Sequence, residues 1–243
     1  MSQPPEATWA DEEAPLHGFQ GDRTAAAKPA APRGLTIAVS REAGARGGTI
    51  SRLVGRRLGW AVYDQEHLEF LSGDPVARAN LMDDLSPACV AWFEACVVEM
   101  EKSVKLEDND SLRHLIRLLA ALGARGDAVI LGRGAGHLLP AATTLNVRVI
   151  APLTERVAYL SQWMRLSAAE AAQKVQERDA QRMAFYRDQL GRTPGDIHQY
   201  DLVLNTSHLG EEACAELIAR AARLRWEQFV GGWGVRGSRT GPR

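Results

Sequence analysis

The sequence predicts an α/β fold built on a parallel sheet of about five strands, and three observations predict it. Short β-rich apolar runs recur along the chain, longer stretches with helical apolar spacing separate them, and the first run leads straight into a glycine-rich turn. Strands that alternate with helices form βαβ units, whose crossover helices cover both faces of a parallel sheet.

The elements follow in order. Residues 1–33 hold eight Ala and five Pro without apolar periodicity. That composition buries too little surface to offset chain entropy, so a disordered tail is expected. Glu6, Asp11, Glu12 and Glu13 in a stretch without an apolar segment do not describe a secretory signal. The folded unit is expected over 34–229. Its first strand is 35–39 (LTIAV), and the helix after the turn covers 49–58, with Ile50, Leu53, Val54 and Leu58 on one side. Residues 61–63 read as a short strand, 74–124 as mostly helical, and 128–131 and 147–150 as buried strands. Helices are expected over 153–164, 167–190 and 211–229, with a strand at 202–204. The Gly/Arg-rich end, 230–243 (VGGWGVRGSRTGPR), reads as a second flexible tail.

Composition excludes several classes. Twenty-nine Lys+Arg against 30 Asp+Glu leave a formal charge of −1, without the basic excess of a general nucleic-acid binder. No run approaches the ~18 consecutive apolar residues of a membrane span. Three cysteines without a CxxC pair argue against a disulfide framework or a zinc site and fit a reducing, cytoplasmic setting. Cys89 and Cys96, seven apart on one helical face, are expected in the core.

In an open parallel sheet, ligands bind beyond the carboxyl ends of the strands. Four segments occupy such places: 40–48, 64–66, 132–137 and 205–207. In the first, Gly44, Gly47 and Gly48 let successive amides converge on an anion at a helix start. Arg41 and Arg46 offer fork-shaped donors to phosphate oxygens, and the Thr49 hydroxyl can cap the helix or reach a phosphate-bound Mg²⁺. An ordinary βα turn that merely needs glycine has the same look. The strict phosphate-loop pattern GxxxxGK[ST] is absent, and no lysine lies between residues 32 and 101. In the third segment Arg133 follows a buried strand and suits a monophosphate, although a solvated turn arginine remains open. Asp64 can orient a substrate or cap the next helix. Lys174, Arg178, Arg182, Arg187 and Arg192 crowd one helix and its exit, with Arg178 and Arg182 on a shared face.

Residues 37–50 (IAVSREAGARGGTI), with Arg57-Leu58-Gly59-Trp60 and Tyr63-Asp64, resemble the cytidylate kinase-like family. Laid against the ordinary cytidylate kinase loop (GPSGSGKGT), Arg41 stands at the first glycine, Gly47 at the lysine, and Gly48 and Thr49 at the last two positions. The resemblance extends over nearly all of 34–224. It implies a P-loop NTPase-like three-layer sandwich with a helical monophosphate-binding insert at about 74–124 and a lid at about 167–192. The implied activity is phosphoryl transfer from ATP, with Mg²⁺, to a nucleoside monophosphate such as CMP or dCMP. In that frame Arg41, Gly44, Gly47, Gly48 and Thr49 bind phosphate, and Thr49 contacts the Mg²⁺ carried by ATP. Arg46 partly replaces the lysine in catalysis, while Arg178 and Arg182, in a segment (ERDAQR) similar to the family's lid, close over the transferring group. Arg133 grips the acceptor, Asp64 lies near it, and Asn205 borders the adenine site. A non-catalytic nucleotide-binding module and a kinase of another phosphorylated metabolite are the alternatives. The apolar stripe of the insert leaves a homodimer open.

Overall fold

The computed structural model describes residues 31–83, 85–106 and 109–234. Five parallel strands form one sheet in the order β2-β3-β1-β4-β5: β1 is Thr36–Arg41, β2 Ala61–Tyr63, β3 Ala128–Leu131, β4 Thr144–Ile150 and β5 Leu202–Asn205. The central strand pairs on both sides, Val39 standing opposite Leu131 of β3 and Val147 of β4.

Alternation along the strands sends side chains into two cores. Ile37, Val39, Val129, Leu131, Val147 and Val149 face one core, which α1 (Gly47–Leu58) and α9 (Thr206–Gly234) close with Ile50, Val54, Cys214 and Ile218. Ala38 and Ile130 point the other way, onto α4 (Pro87–Lys102) and α5 (Asp110–Arg125), where Trp92, Cys96, Met100, Ile116 and Leu119 are buried. Helix, sheet and helix make three layers. The stripe in 86–122 is therefore mostly core, although Val98 stays exposed. All three cysteines are buried free thiols, and burial pushes Cys96 up to about 12.

Helix starts obey local capping chemistry. Asp64 caps α2 (Gln65–Gly73), Ser86 with Pro87 behind it caps α4, and Asn109 caps α5. Ser167 and Glu170 form a reciprocal capping box on α8 (Ala168–Leu190), which packs against α7 (Leu153–Met164).

Several boundaries differ from the sequence reading. The helical stretch starts at Gln65, because Asp64 ends β2 and begins a helix at once, and α3 (Pro75–Asp83) follows after one residue. Strand β4 starts at Thr144 instead of 147, since residues 144–146 pair with Thr36, Ile37 and Ala38. A four-residue helix, α6 (Ala135–Leu138), follows β3. The last helical segment starts at Thr206, breaks at Gly210 (φ 75°) and runs to Gly234, so residues 230–234 are helical where a tail was expected. Residues 1–30 and 235–243, the remaining tail assignments, lie outside the described residues. Among the described residues no helix is long and apolar enough to cross a membrane.

Candidate active site

The carboxyl ends of β1, β3 and β4 open into a cavity of about 570 Å³, roofed by α8. Five arginines line it (Arg41, Arg133, Arg148, Arg178 and Arg182) against two carboxylates, Glu42 and Asp179. A second cavity of about 610 Å³ adjoins it between α2, α5 and α8, and Arg133 and Phe185 line both. Its wall mixes Leu68, Leu112 and Leu115 with Asn109 and Gln189, whose side-chain amides meet at 2.5 Å. A strongly cationic chamber thus opens onto a mixed one across an arginine and a phenylalanine.

Arg41 ends the central strand and crosses the floor of the first cavity. Its stem lies against Gly47: a Cβ there would stand 2.8 Å from the Arg41 Cβ and 3.0 Å from its Cγ. Its guanidinium lies over Gly132, where φ is +85° and a Cβ would come within 2.1 Å of Nη1. Both approaches need glycine, the second for its backbone conformation as well. Burial, followed by the nearby Arg182 charge, pushes Arg41 down to about 10, which leaves it charged at neutral pH.

Beside it, the loop between β1 and α1 is tied to α8. The Ala43 amide donates to Asp179 Oδ1 at 2.8 Å, and Arg156 donates from Nη1 to Asp179 Oδ2 at 2.6 Å and to the Ala43 carbonyl at 3.2 Å. Glu42 Oε2 accepts from the Ala151 amide at 3.2 Å and lies 3.5 Å from Arg156 Nε. Arg182 Nη1 sits 3.4 Å from both the Arg41 carbonyl and Asp179 Oδ1. Arg148, opposite Ser40 in the sheet, donates to its Oγ at 3.0 Å.

The predicted residues divide accordingly. Arg41, Arg133, Arg178 and Arg182 meet in the cavity, with Arg133 (φ 53°) ion-paired to Glu69 on α2. Arg46 does not join them. It adopts the left-handed region at the head of α1, which turns its guanidinium 5.0 Å over the Tyr159 ring and 3.6 Å from Glu211. Gly44 turns the loop at φ 82° beside Arg156, and Gly47, Gly48 and Thr49 form the first turn of α1. Their amides have no carbonyl one helical turn earlier to bond. Thr49 is not the cap, since Arg46 holds that position without a side-chain bond.

Asp64 accepts from the His67 amide at 3.3 Å and pairs with His67 Nδ1 at 2.7 Å. Burial opposes its charge, but these bonds prevail and hold its carboxyl below the usual value. Asn205 caps the start of α9 by accepting from the Ser207 amide at 3.1 Å.

Sequence reasoning missed Arg148, Arg156 and the part played by Asp179. Arg148 had a signal: it is the one charged residue in the strand TLNVRVI, whose neighbours Val147 and Val149 are fully buried. Arg156 had none, because the partners through which it joins loop to helix, Ala43 and Asp179, lie 113 and 23 residues away.

An all-parallel sheet in this order, with a glycine-bearing loop leading from the central strand into α1, defines an α/β fold of the P-loop NTPase-like class. The chain belongs to the Cytidylate kinase-like family, which matches residues 36–208. It is 23% identical over 184 residues to the cytidylate kinase of Ignicoccus hospitalis, covering 76% of this chain and 96% of that one. Identity to the cytidylate kinase of Methanopyrus kandleri is 28% over 135 residues, 51% of this chain and 70% of that. Among solved structures, an uncharacterized protein from Eubacterium ventriosum superposes with a TM-score of 0.56 at 14% identity, over 79% of this chain and 99% of the other. At that identity the likeness concerns the fold alone.

Proposed function

We propose that this chain is an ATP-dependent nucleoside monophosphate kinase whose acceptor is CMP or dCMP. The observation that carries the reading is the convergence of five arginines on one cavity at the strand ends, continuous through Arg133 with a mixed apolar and amide-lined chamber. The cationic chamber suits phosphates and its neighbour suits a nucleobase and sugar. Membership of the Cytidylate kinase-like family supports a nucleotide-kinase role, and the named kinases it resembles point to the cytosine acceptor.

The chemistry asks for positioning and charge. A phosphate dianion attacks without losing a proton, so no general base is required. Arg178 and Arg182 would neutralise the transferring group from the α8 side while that helix excludes water, and Arg133 would hold the acceptor phosphate. Mg²⁺ fits as a partner of the triphosphate: it keeps most of its waters and takes few protein ligands. Among the described residues no cluster of three or more His, Cys, Asp or Glu is placed to hold a metal, and Glu42 and Asp179 are engaged by arginines. The Thr49 hydroxyl is the candidate protein contact, and the bound ion would neutralise charge on the phosphate oxygens.

Incubating the pure protein with ATP, Mg²⁺ and each nucleoside monophosphate tests the reading. CDP or dCDP should form fastest; absence of a diphosphate with every acceptor overturns it. A second reading, a nucleotide-binding module without turnover, is favoured by Asp179 already occupying the Ala43 amide. Tight ATP binding by calorimetry together with blank-level turnover would establish that alternative.

A further inference from the structure

We infer that Arg41 takes the place of the missing loop lysine, its side chain filling from the strand end the space that a side chain at position 47 would occupy, and that it is the cation contacting the triphosphate. The inference rests on the kinase reading above and assigns a group within it.

Four observations converge. Position 47, which aligns with the lysine of the ordinary loop, is glycine, and the Arg41 stem lies on it at distances no Cβ would tolerate. The guanidinium then reaches Gly132, whose missing side chain makes room for it. Among the described residues Arg41, like Arg178 on α8, makes no ion pair, whereas Arg133, Arg148 and Arg182 each have an acidic neighbour. Asp64, a carboxylate whose charge acts on Arg41 from a distance, is engaged by His67. A half-buried guanidinium without an acidic partner, in a cavity with three more arginines than carboxylates, is matched by an anion. Arg46, the other arginine of the loop, is spent on Tyr159 and Glu211.

The two residues have thus exchanged roles. A cation that elsewhere stands on the first turn of the helix here stands six residues earlier, and glycine marks the position it left. In the transfer, an oxygen of the acceptor phosphate forms a bond to the γ-phosphorus. The bond from that phosphorus to the β–γ bridging oxygen breaks, and its electron pair leaves with ADP. Arg41 contributes charge and keeps its protons.

An exchange can be reversed, and that is the test. Wild type, Arg41→Ala, Gly47→Lys, the double variant Arg41→Gly/Gly47→Lys and Arg46→Ala are compared for kcat, KM for ATP, and affinity for inorganic tripolyphosphate, with thermal melts as the check on folding. Arg41→Ala should lose at least ~10-fold in kcat/KM, since one charge-stabilising donor is typically worth more than that. Arg46→Ala should stay within ~2-fold, and the double variant should recover at least ~3-fold over Arg41→Ala, because glycine at position 41 also removes the Cβ that stands 2.8 Å from a side chain at 47 and lets an ammonium return. Gly47→Lys alone should gain nothing. Should Arg41→Ala fail to fold, Arg41→Gln keeps the stem and reads the same charge.

Arg41→Ala within ~2-fold of wild type, a larger loss in Arg46→Ala, or a well-folded double variant without recovery each overturns the inference. If wild type turns over no acceptor, the kinase reading falls and tripolyphosphate decides the point separately. A loss of ~10-fold or more in its affinity on Arg41→Ala supports Arg41 as its cation, and a smaller change refutes that.

Discussion

Arg41 and Arg46 sit five residues apart in one loop, and nothing in their spacing says which of them faces the cavity. The backbone decides. Arg46 takes a left-handed conformation (φ 60°) that swings it toward α7 and α9, while Arg41 is still in the strand and leaves it toward β3. Arg156 is legible in even smaller degree, yet it is the side chain that joins loop to helix, with only 12% of its surface exposed. Arg156→Ala would leave Glu42, Asp179 and the Ala43 carbonyl without their shared donor. It should lower stability by about 2 kcal/mol, seen as a lower urea midpoint at unchanged slope. A midpoint equal to wild type would mean water replaces the guanidinium at no cost. His137 offers a pH test. It is packed edge-on against Tyr186 at 5.1 Å and Tyr200 at 5.7 Å, and burial, then Arg192 and Arg148, push it down to about 4. The unfolded chain takes up this proton near pH 6.5, so stability attributable to His137 is complete above that pH and declines as pH falls toward 4. His137→Phe removes the titration; its denaturation midpoint should fall less steeply than wild type between pH 6.5 and 4.5, and parallel curves would refute the assignment.

At the scale of elements, period and punctuation carried most of the information. The strands around Ile37, Val129 and Val147 and the helices after them were legible because apolar residues repeat at two or at three to four. The start of β4 was not, because Thr144 and Asn146 are polar yet buried: Asn146 Nδ2 donates to the carbonyls of Gly136 and Gln199, at 3.1 and 2.6 Å. A strand paired through such groups has no apolar alternation to read. Helix α8 presents the opposite case, since its existence was clear and its attachment was not. Its buried residues are Ala171 and Val175 near one end and Tyr186 and Leu190 at the other. The stretch between them bears Arg178, Asp179 and Arg182 and meets the loop through polar contacts, while Ala43 of the loop joins Ala171 and Val175 in an apolar cluster at the first end. The helix therefore depends on its ends. Ser167→Ala, which removes the capping box, should cost about 1 kcal/mol and lower Tm by roughly 2–4 °C. Because the cap lies several turns from Arg178, KM for ATP should stay at the wild-type value; a shift in KM with Tm unchanged would contradict this division.

Across the whole molecule, the sheet lies between two cores, and the site lies at its rim, where six separate segments meet. Contacts such as Arg182 to the Arg41 carbonyl join residues 141 apart. Sequence reading named the ends of β1, β2, β3 and β5, passed over β4, which brings Arg148 to the cavity, and could not list which side chains share it, since that depends on how α8 lies over the sheet. The same geometry makes ligand binding a whole-molecule property, because a polyanion between the strand ends and α8 holds both together and binds only the folded chain. ATP or tripolyphosphate at about 100 times its dissociation constant should add about 2.7 kcal/mol, a rise in Tm of roughly 5–10 °C. Since arginines carry the attraction, salt should weaken it. Screening shortens from ~10 Å at 0.1 M to ~3 Å at 1 M, and the rise should shrink by more than half. Arg178→Ala sharpens the reading: Arg178 makes no ion pair among the described residues, so the ligand-free Tm should stay put while the ligand-induced rise drops. A rise indifferent to both salt and Arg178 would place the polyanion somewhere other than the cavity under α8.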